Sequence, residues 1–84
     1  MTFRLWCGFA QTEEEYRTKK PLWMPRLRDS LHDALWKAMR VNDVGVKTAW
    51  EIEGDDGFHL NRQEIADMIV IQRNALIANP PRAN

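Results

Sequence analysis

The stretch WEIEGDDGFHLNRQE, Trp50 to Glu64, carries three local signals in fifteen residues. Trp50 and Ile52 alternate with Glu51 and Glu53, the period-two pattern of a strand with one apolar face. Gly54-Asp55-Asp56-Gly57 is turn chemistry, because glycine and aspartate tolerate the positive φ of a tight reversal. Phe58 and Leu60 flank His59 as a short return strand. Asn61 with Glu64 three residues on resembles a capping box, with Asn in place of Ser or Thr, and predicts a helix start. The segment therefore reads as a hairpin feeding a capped helix.

Working back from Trp50, the alternation extends through Val44, Val46 and Thr48, so the strand is predicted over 44–53. Val41-Asn42-Asp43 breaks the element before it. From Arg26 to Val41 the apolar positions Leu27, Leu31, Ala34, Leu35, Ala38 and Met39 recur at helical spacing. Pro25 suits the first turn of that helix. Thr12 and Glu15 predict one or two helical turns, stopped by Pro21. At the start of the chain, Phe3, Leu5, Cys7 and Phe9 share one face of a strand over 2–9. Cys7 is expected there as a buried structural thiol. Forward of Glu64, the helix runs from Arg62 to about Ala78, with an apolar surface broader than one stripe. Such a surface is either covered on two sides or part of a dimer interface. Asn79-Pro80-Pro81 ends it.

The predicted order is strand, helix, strand, short strand, helix. It implies an α+β two-layer sandwich, with a small three-stranded sheet carrying two helices on one face. Parallel pairing of the first two strands would demand a right-handed crossover. Residues 1–79 are expected as one domain and 80–84 as a flexible C-terminal tail.

Twelve basic and twelve acidic residues give a formal net charge of zero. That balance disfavours strong whole-molecule attraction to DNA or a membrane. The charge is nonetheless split along the chain: +5 over residues 17–40, then −5 over 41–67. Cys7 is the one cysteine, so no intrachain disulfide forms. With no signal-peptide pattern, that suits a reducing, cytoplasmic setting. No apolar run approaches the roughly 20 residues that span a bilayer. The overall character is that of a small bacterial or phage protein.

Spacing decides what the chemistry-bearing residues can do. Glu51, Glu53, Asp55 and Asp56 suggest a cation loop. Counted from Glu51, the sixth position is Asp56 where glycine is needed, and the twelfth is Arg62 where glutamate is needed. Counted from Glu53, the fifth and sixth positions are Gly57 and Phe58, and that register fails too. His32, His59 and Cys7 lack zinc-ligand spacing. Ser30 lies outside any nucleophile motif, and the four glycines form no phosphate-binding loop. The expectation is a non-catalytic protein without cofactor or metal, and no motif identifies a small-molecule substrate.

A protein-interaction role, with self-association as one form of it, follows from the charge split, the four tryptophans and the broad last helix. The candidate surface comprises Arg17, Lys19, Lys20, Trp23, Arg26 and Arg28, extended along His32, Trp36 and Arg40. In the predicted helix, Arg28, His32, Trp36 and Arg40 form an i, i+4 ladder. The alternative is a nucleic-acid-binding accessory protein that uses segment 17–40, with cations on phosphates and Trp23 stacking a base. The exposure of Trp6, Trp23, Trp36 and Trp50 separates these readings from a plain structural one.

Overall fold

The computed structural model describes residues 1–81. Residues 82–84, part of the tail expected to be loose, lie outside the described residues. The elements are β1 (Phe3–Gly8), α1 (Glu13–Lys19), β2 (Arg26–Arg28), α2 (Leu31–Val44), β3 (Thr48–Gly54), β4 (His59–Asn61) and α3 (Arg62–Ala78), with a 3-10 turn over Lys20–Leu22. The α+β class is as expected. The sheet, however, has four strands in the order β2-β1-β3-β4, and every neighbouring pair is antiparallel. No parallel crossover exists between the first two long strands.

The Trp50–Glu64 segment folds as its sequence dictates. Ile52 pairs across from Leu60. The Gly54 N–H donates to the Phe58 carbonyl at 2.8 Å, and Gly57 takes φ of 87°. A Cβ on Gly54 would lie 3.0 Å from Phe58 Cβ, and the Phe3 ring packs edge-on to Phe58. Here glycine serves a close approach. The capping box is complete: Asn61 Oδ1 accepts from the Glu64 N–H, and Glu64 Oε1 accepts from the Asn61 N–H. Helix α3 has the predicted limits.

The predicted helix over 26–41 is displaced. Arg26–Arg28 pair with Leu5–Phe3 as an edge strand, and the helix starts at Leu31. Ser30 is its cap, accepting from the Asp33 N–H at 3.1 Å. The local reason is competition. Ser-x-x-Asp offers orphan helix donors a partner at Ser30, while Arg26–Arg28 satisfy their backbone on β1. The far end is displaced as well. The helix continues to Val44 and stops at Gly45, whose φ of 80° is the left-handed cap that glycine adopts freely. Val44 and Val46 therefore leave the strand and stand exposed.

The main core lies between one face of the sheet and helices α2 and α3. Phe3, Leu5, Ala49, Ile52 and Leu60 meet Leu35, Met39, Ile65, Ile69 and Leu76, among others. The opposite face carries α1, a third helix that the two-helix expectation lacked. A β-bulge makes this possible. The β1–β3 register passes from Trp6 opposite Glu51 to Cys7 opposite Ala49, so Trp50 is the extra residue. A bulge reverses the alternation beyond it. Ala49 stays with the helices, and Trp50 turns to the other side to stack on Tyr16 of α1, rings 5.1 Å apart and 7° from parallel. The predicted Phe3-Leu5-Cys7-Phe9 face is cut short, since β1 ends at Gly8. Phe3 and Leu5 are core, but Cys7 is half-buried and Phe9 exposed.

Ser30→Ala should lower stability by about 1 kcal/mol in urea unfolding, the cost of a lost N-cap. A helix starting at Arg26 would place Ser30 in its interior, where Ser→Ala is neutral or stabilising; that result would contradict the boundary described.

Candidate interaction surface

The polar residues on the α1 face form one connected network. Glu51 sits on β3 with its side chain mostly covered, and it accepts from the Tyr16 hydroxyl, Lys20 Nζ at 2.7 Å and His59 Nε2. Beside it, Glu53 accepts from the Trp6 indole N–H at 2.6 Å. Lys20 lies 4.8 Å from the centre of the Trp6 ring and 3.4 Å from Glu53. Burial pushes the Tyr16 hydroxyl well above its usual range, and its hydrogen bond to Glu51 adds to this. For Lys20, burial works downward, but Glu51 and Glu53 outweigh it and hold the ammonium above its ordinary range. For Glu51, burial works upward, and the bonds from Lys20, Tyr16 and His59 outweigh it to lower the carboxyl. Each shift leads away from neutrality, opposite to what general acid–base catalysis requires. The network clamps α1 to the sheet.

The acidic turn is used in the same way. Asp55 accepts from the Thr2 N–H at 2.9 Å and from Arg4 Nη1 at 3.0 Å, which lowers its carboxyl. It ties the start of β1 to the hairpin. Among the described residues no group of three or more His, Cys, Asp or Glu is placed to hold a metal ion.

The structure divides the cations expected to form one surface. Arg17 pairs with Glu13 and Lys20 with the Glu51–Glu53 network. Lys19 pairs with Glu15 and also donates to the Phe9 carbonyl. Arg28 belongs to β2, so the Arg28–His32–Trp36–Arg40 ladder does not exist as a helix face. On α2, His32 Nε2 lies 2.6 Å from the Asn79 carbonyl, linking α2 to the end of α3. Trp36 packs on the core edge with the Arg40 guanidinium over its ring at 5.8 Å.

A different grouping emerges at one end of the sheet. A groove of about 800 Å³ is lined by Cys7, Phe9, Leu22, Trp23, Met24 and Arg26, with Lys19 and Lys47 at its margin. The Lys20–Leu22 turn, with Pro21 inside it and Pro25 beyond it, carries Leu22 and Met24 outward, 85% and 89% exposed. Trp23 is half-buried. A Cβ on Gly8 would sit 2.7 Å from its ring, which also tilts against Tyr16. Gly8 thus makes room for the groove floor. Lys47 also borders a second depression of about 390 Å³, lined by Lys37, Arg40, Val41, Val44 and Val46. Among the described residues Arg26, Lys37, Arg40 and Lys47 join no ion pair.

Of the expected residues, Lys19, Trp23 and Arg26 come together in the groove and Arg40 lies on the adjoining depression. Sequence reasoning missed Phe9, Val44, Val46 and Lys47. Phe9, Val44 and Val46 had been assigned to strand faces. The one local signal for Val44–Lys47 was Gly45, a helix-ending residue inside what looked like an alternating strand. Of the tryptophans, Trp50 is buried and Trp6, Trp23 and Trp36 are half-buried. Trp23 lies against Gly8 and Tyr16 and Trp36 on the core edge, so the exposure of the tryptophans does not by itself mark a site.

Comparison with protein-family models, with curated proteins and with solved structures gives no match.

Stability should be greatest over a plateau of roughly pH 6–9 and fall on both sides. Glu51, Glu15 and Asp55 have lowered carboxyl values, so their contribution is in place above pH 4.5 and fades as pH falls further. Tyr16 and Lys20 have raised values, so theirs is whole below about pH 10 and fades as pH rises beyond it. Tyr16→Phe should cost about 1.5–3 kcal/mol on the plateau, the range for a hydrogen bond to a charged group, and make the alkaline decline shallower. Thermal melts by circular dichroism across pH check both; an unchanged plateau and alkaline limb would contradict the clamp.

Proposed function

We propose that this chain is a non-catalytic protein-interaction module whose docking surface is the groove around Trp23, continued past Lys47 to Val44 and Val46. The observation that carries this reading is the display of Leu22 and Met24. Both are almost fully exposed, yet they flank a half-buried tryptophan at the end of the 3-10 turn. Scattered exposed apolar residues are ordinary on a protein surface. Here Phe9, Leu22 and Met24 converge on one concavity. Covering one such side chain releases about 1.5–3 kcal/mol, so two of them supply a useful share of a micromolar affinity of about 8 kcal/mol.

The nucleic-acid reading has less support. Its stacking residue, Trp23, has its ring engaged by Gly8 and Tyr16. The side chains offered to solvent are mainly aliphatic, which suits apolar protein contacts better than bases. Two of the cations it would use, Arg17 and Lys20, are ion-paired.

Self-association draws on a separate feature. Val70, Ile71 and Ile77 of α3 are exposed, which accounts for the over-broad apolar pattern of that helix. Val70 and Ile77 are seven residues apart, two helical turns, and so share one flank. On this reading a second copy covers them. Light scattering should give a mass that rises with concentration, and Val70→Glu with Ile77→Glu should return it to 9.9 kDa; a constant monomer mass would remove self-association.

The docking reading is tested by selecting peptides from a random displayed library against the immobilised protein. The winners are then mapped on the 15N-labelled chain. Amide shifts should concentrate at residues 7–9, 22–26 and 47. Leu22→Ser with Met24→Ser should weaken binding tenfold or more without lowering the melting temperature. Shifts confined to α3 or to the Glu51–His59 face, or no selectable binder, would contradict it.

A further inference from the structure

We infer that the partner presents an acidic segment bearing aliphatic or aromatic side chains, an inference that rests on the docking reading above. The basis is how the charged side chains of the described residues pair. With a net charge of zero, unpaired charge of one sign becomes informative when it gathers in one place. Most cations of α1 and β1 are spent: Arg4 on Asp55, Arg17 on Glu13, Lys19 on Glu15 and Lys20 on Glu51. Arg73 is spent on Asp43. Those left without an ion pair among the described residues include Arg26, Lys37, Arg40 and Lys47, and these four border the two depressions that meet at Lys47. Among the described residues no acidic side chain lines either depression.

The apolar residues interleave with these cations. Met24 precedes Arg26 by two positions, Val46 adjoins Lys47, and Val44 follows Arg40 by one helical turn. Such a surface attracts negative charge from a distance and rewards apolar contact on arrival. Electrostatic complementarity of this kind governs association rate and partner choice more than final affinity. The complement is a peptide segment in which carboxylates alternate with leucine- or phenylalanine-like residues. A polyanion without apolar side chains satisfies only half of it.

The test uses a short fluorescein-labelled peptide repeating Glu-Glu-Leu, followed by anisotropy at about 25 mM and about 300 mM salt, where the screening length falls severalfold. Comparators replace every Glu by Gln, or every Leu by Ser. Single-stranded DNA of equal charge and phosphatidylserine vesicles serve as further probes. The Glu-Glu-Leu peptide should bind at least tenfold more tightly than either peptide comparator at low salt, and clearly less tightly at high salt. Arg26→Glu with Lys47→Glu should weaken it at least tenfold, and Leu22→Ser with Met24→Ser should do so at both salt concentrations. Equal binding of the Gln peptide, still sensitive to Leu22 and Met24, would overturn the acidic partner while leaving the docking groove standing. Tighter binding of DNA or vesicles through the same residues would overturn it in favour of a nucleic acid or a lipid surface. No binding of the Glu-Glu-Leu peptide would overturn it as well.

Discussion

One extra residue in β3 governs the second face of the sheet. Where β1 and β3 fall out of step at Trp50, the indole leaves the helix side and meets Tyr16. Without that offset Trp50 would fall on the side of Ile52, where α2 and α3 already pack, and α1 would have no aromatic anchor. With it, a seven-residue helix too short to persist alone in water is held by a ring stack and the Tyr16–Glu51–Lys20 bonds. The bulge lies next to Cys7 and Gly8, so it also shapes the floor of the groove. Trp50 Nε1 points to the Gly8 carbonyl at 3.4 Å, and the Trp23 ring lies over Gly8. Clamp and groove are two consequences of one irregularity.

Charge is distributed by the same logic. Acidic residues of the hairpin turn out to be structural: Asp55 tethers the N-terminal strand, and Glu51 and Glu53 secure α1. They consume cations from the first third of the chain. Of the +5 block over residues 17–40, Lys20 is the residue whose ion pairs reach the −5 block, while Arg17 and Lys19 pair within α1. Of the cations without an ion pair among the described residues, Arg26, Lys37, Arg40 and Lys47 line the two depressions that share Lys47, where α2 ends and β3 begins, while Arg28 and Arg62 lie elsewhere. A chain of zero net charge thus carries a cationic, apolar surface that its composition conceals.

Much of the fold was legible. The hairpin, the Asn61 cap and the full length of α3 followed from turn chemistry, the capping box and periodicity, all local signals that tertiary contacts reinforce. The α1 start at Thr12 was also visible. What failed were boundaries decided by competition. Leu27 fits the helical stripe of α2, but β1 offered Arg26–Arg28 a backbone partner that no local pattern reveals. Val44 and Val46 fit the alternation of β3, but Gly45 ended a helix there instead. The bulge was invisible because the pattern Ala49-Trp50-Glu51-Ile52 reads the same with or without it. The candidate site was half legible. Trp23, Lys19 and Arg26 were picked out by residue type. Lys20 could not be discounted, because its partners Glu51 and Glu53 are identifiable only once the end of α1 is seen packed on β3; the Arg17–Glu13 pair, at i, i+4 spacing on α1, was open to the sequence and went unread.

The bulge is most directly tested by nuclear Overhauser contacts in the folded protein. The account predicts contacts from the Trp50 indole to the Tyr16 ring, from the Ala49 methyl to α2 or α3, and from the Trp23 ring to the Gly8 α-protons. A Trp50 indole in contact with Leu35, Met39 or Ile65, with Tyr16 free of it, would contradict the bulge and with it the placement of α1 and the groove.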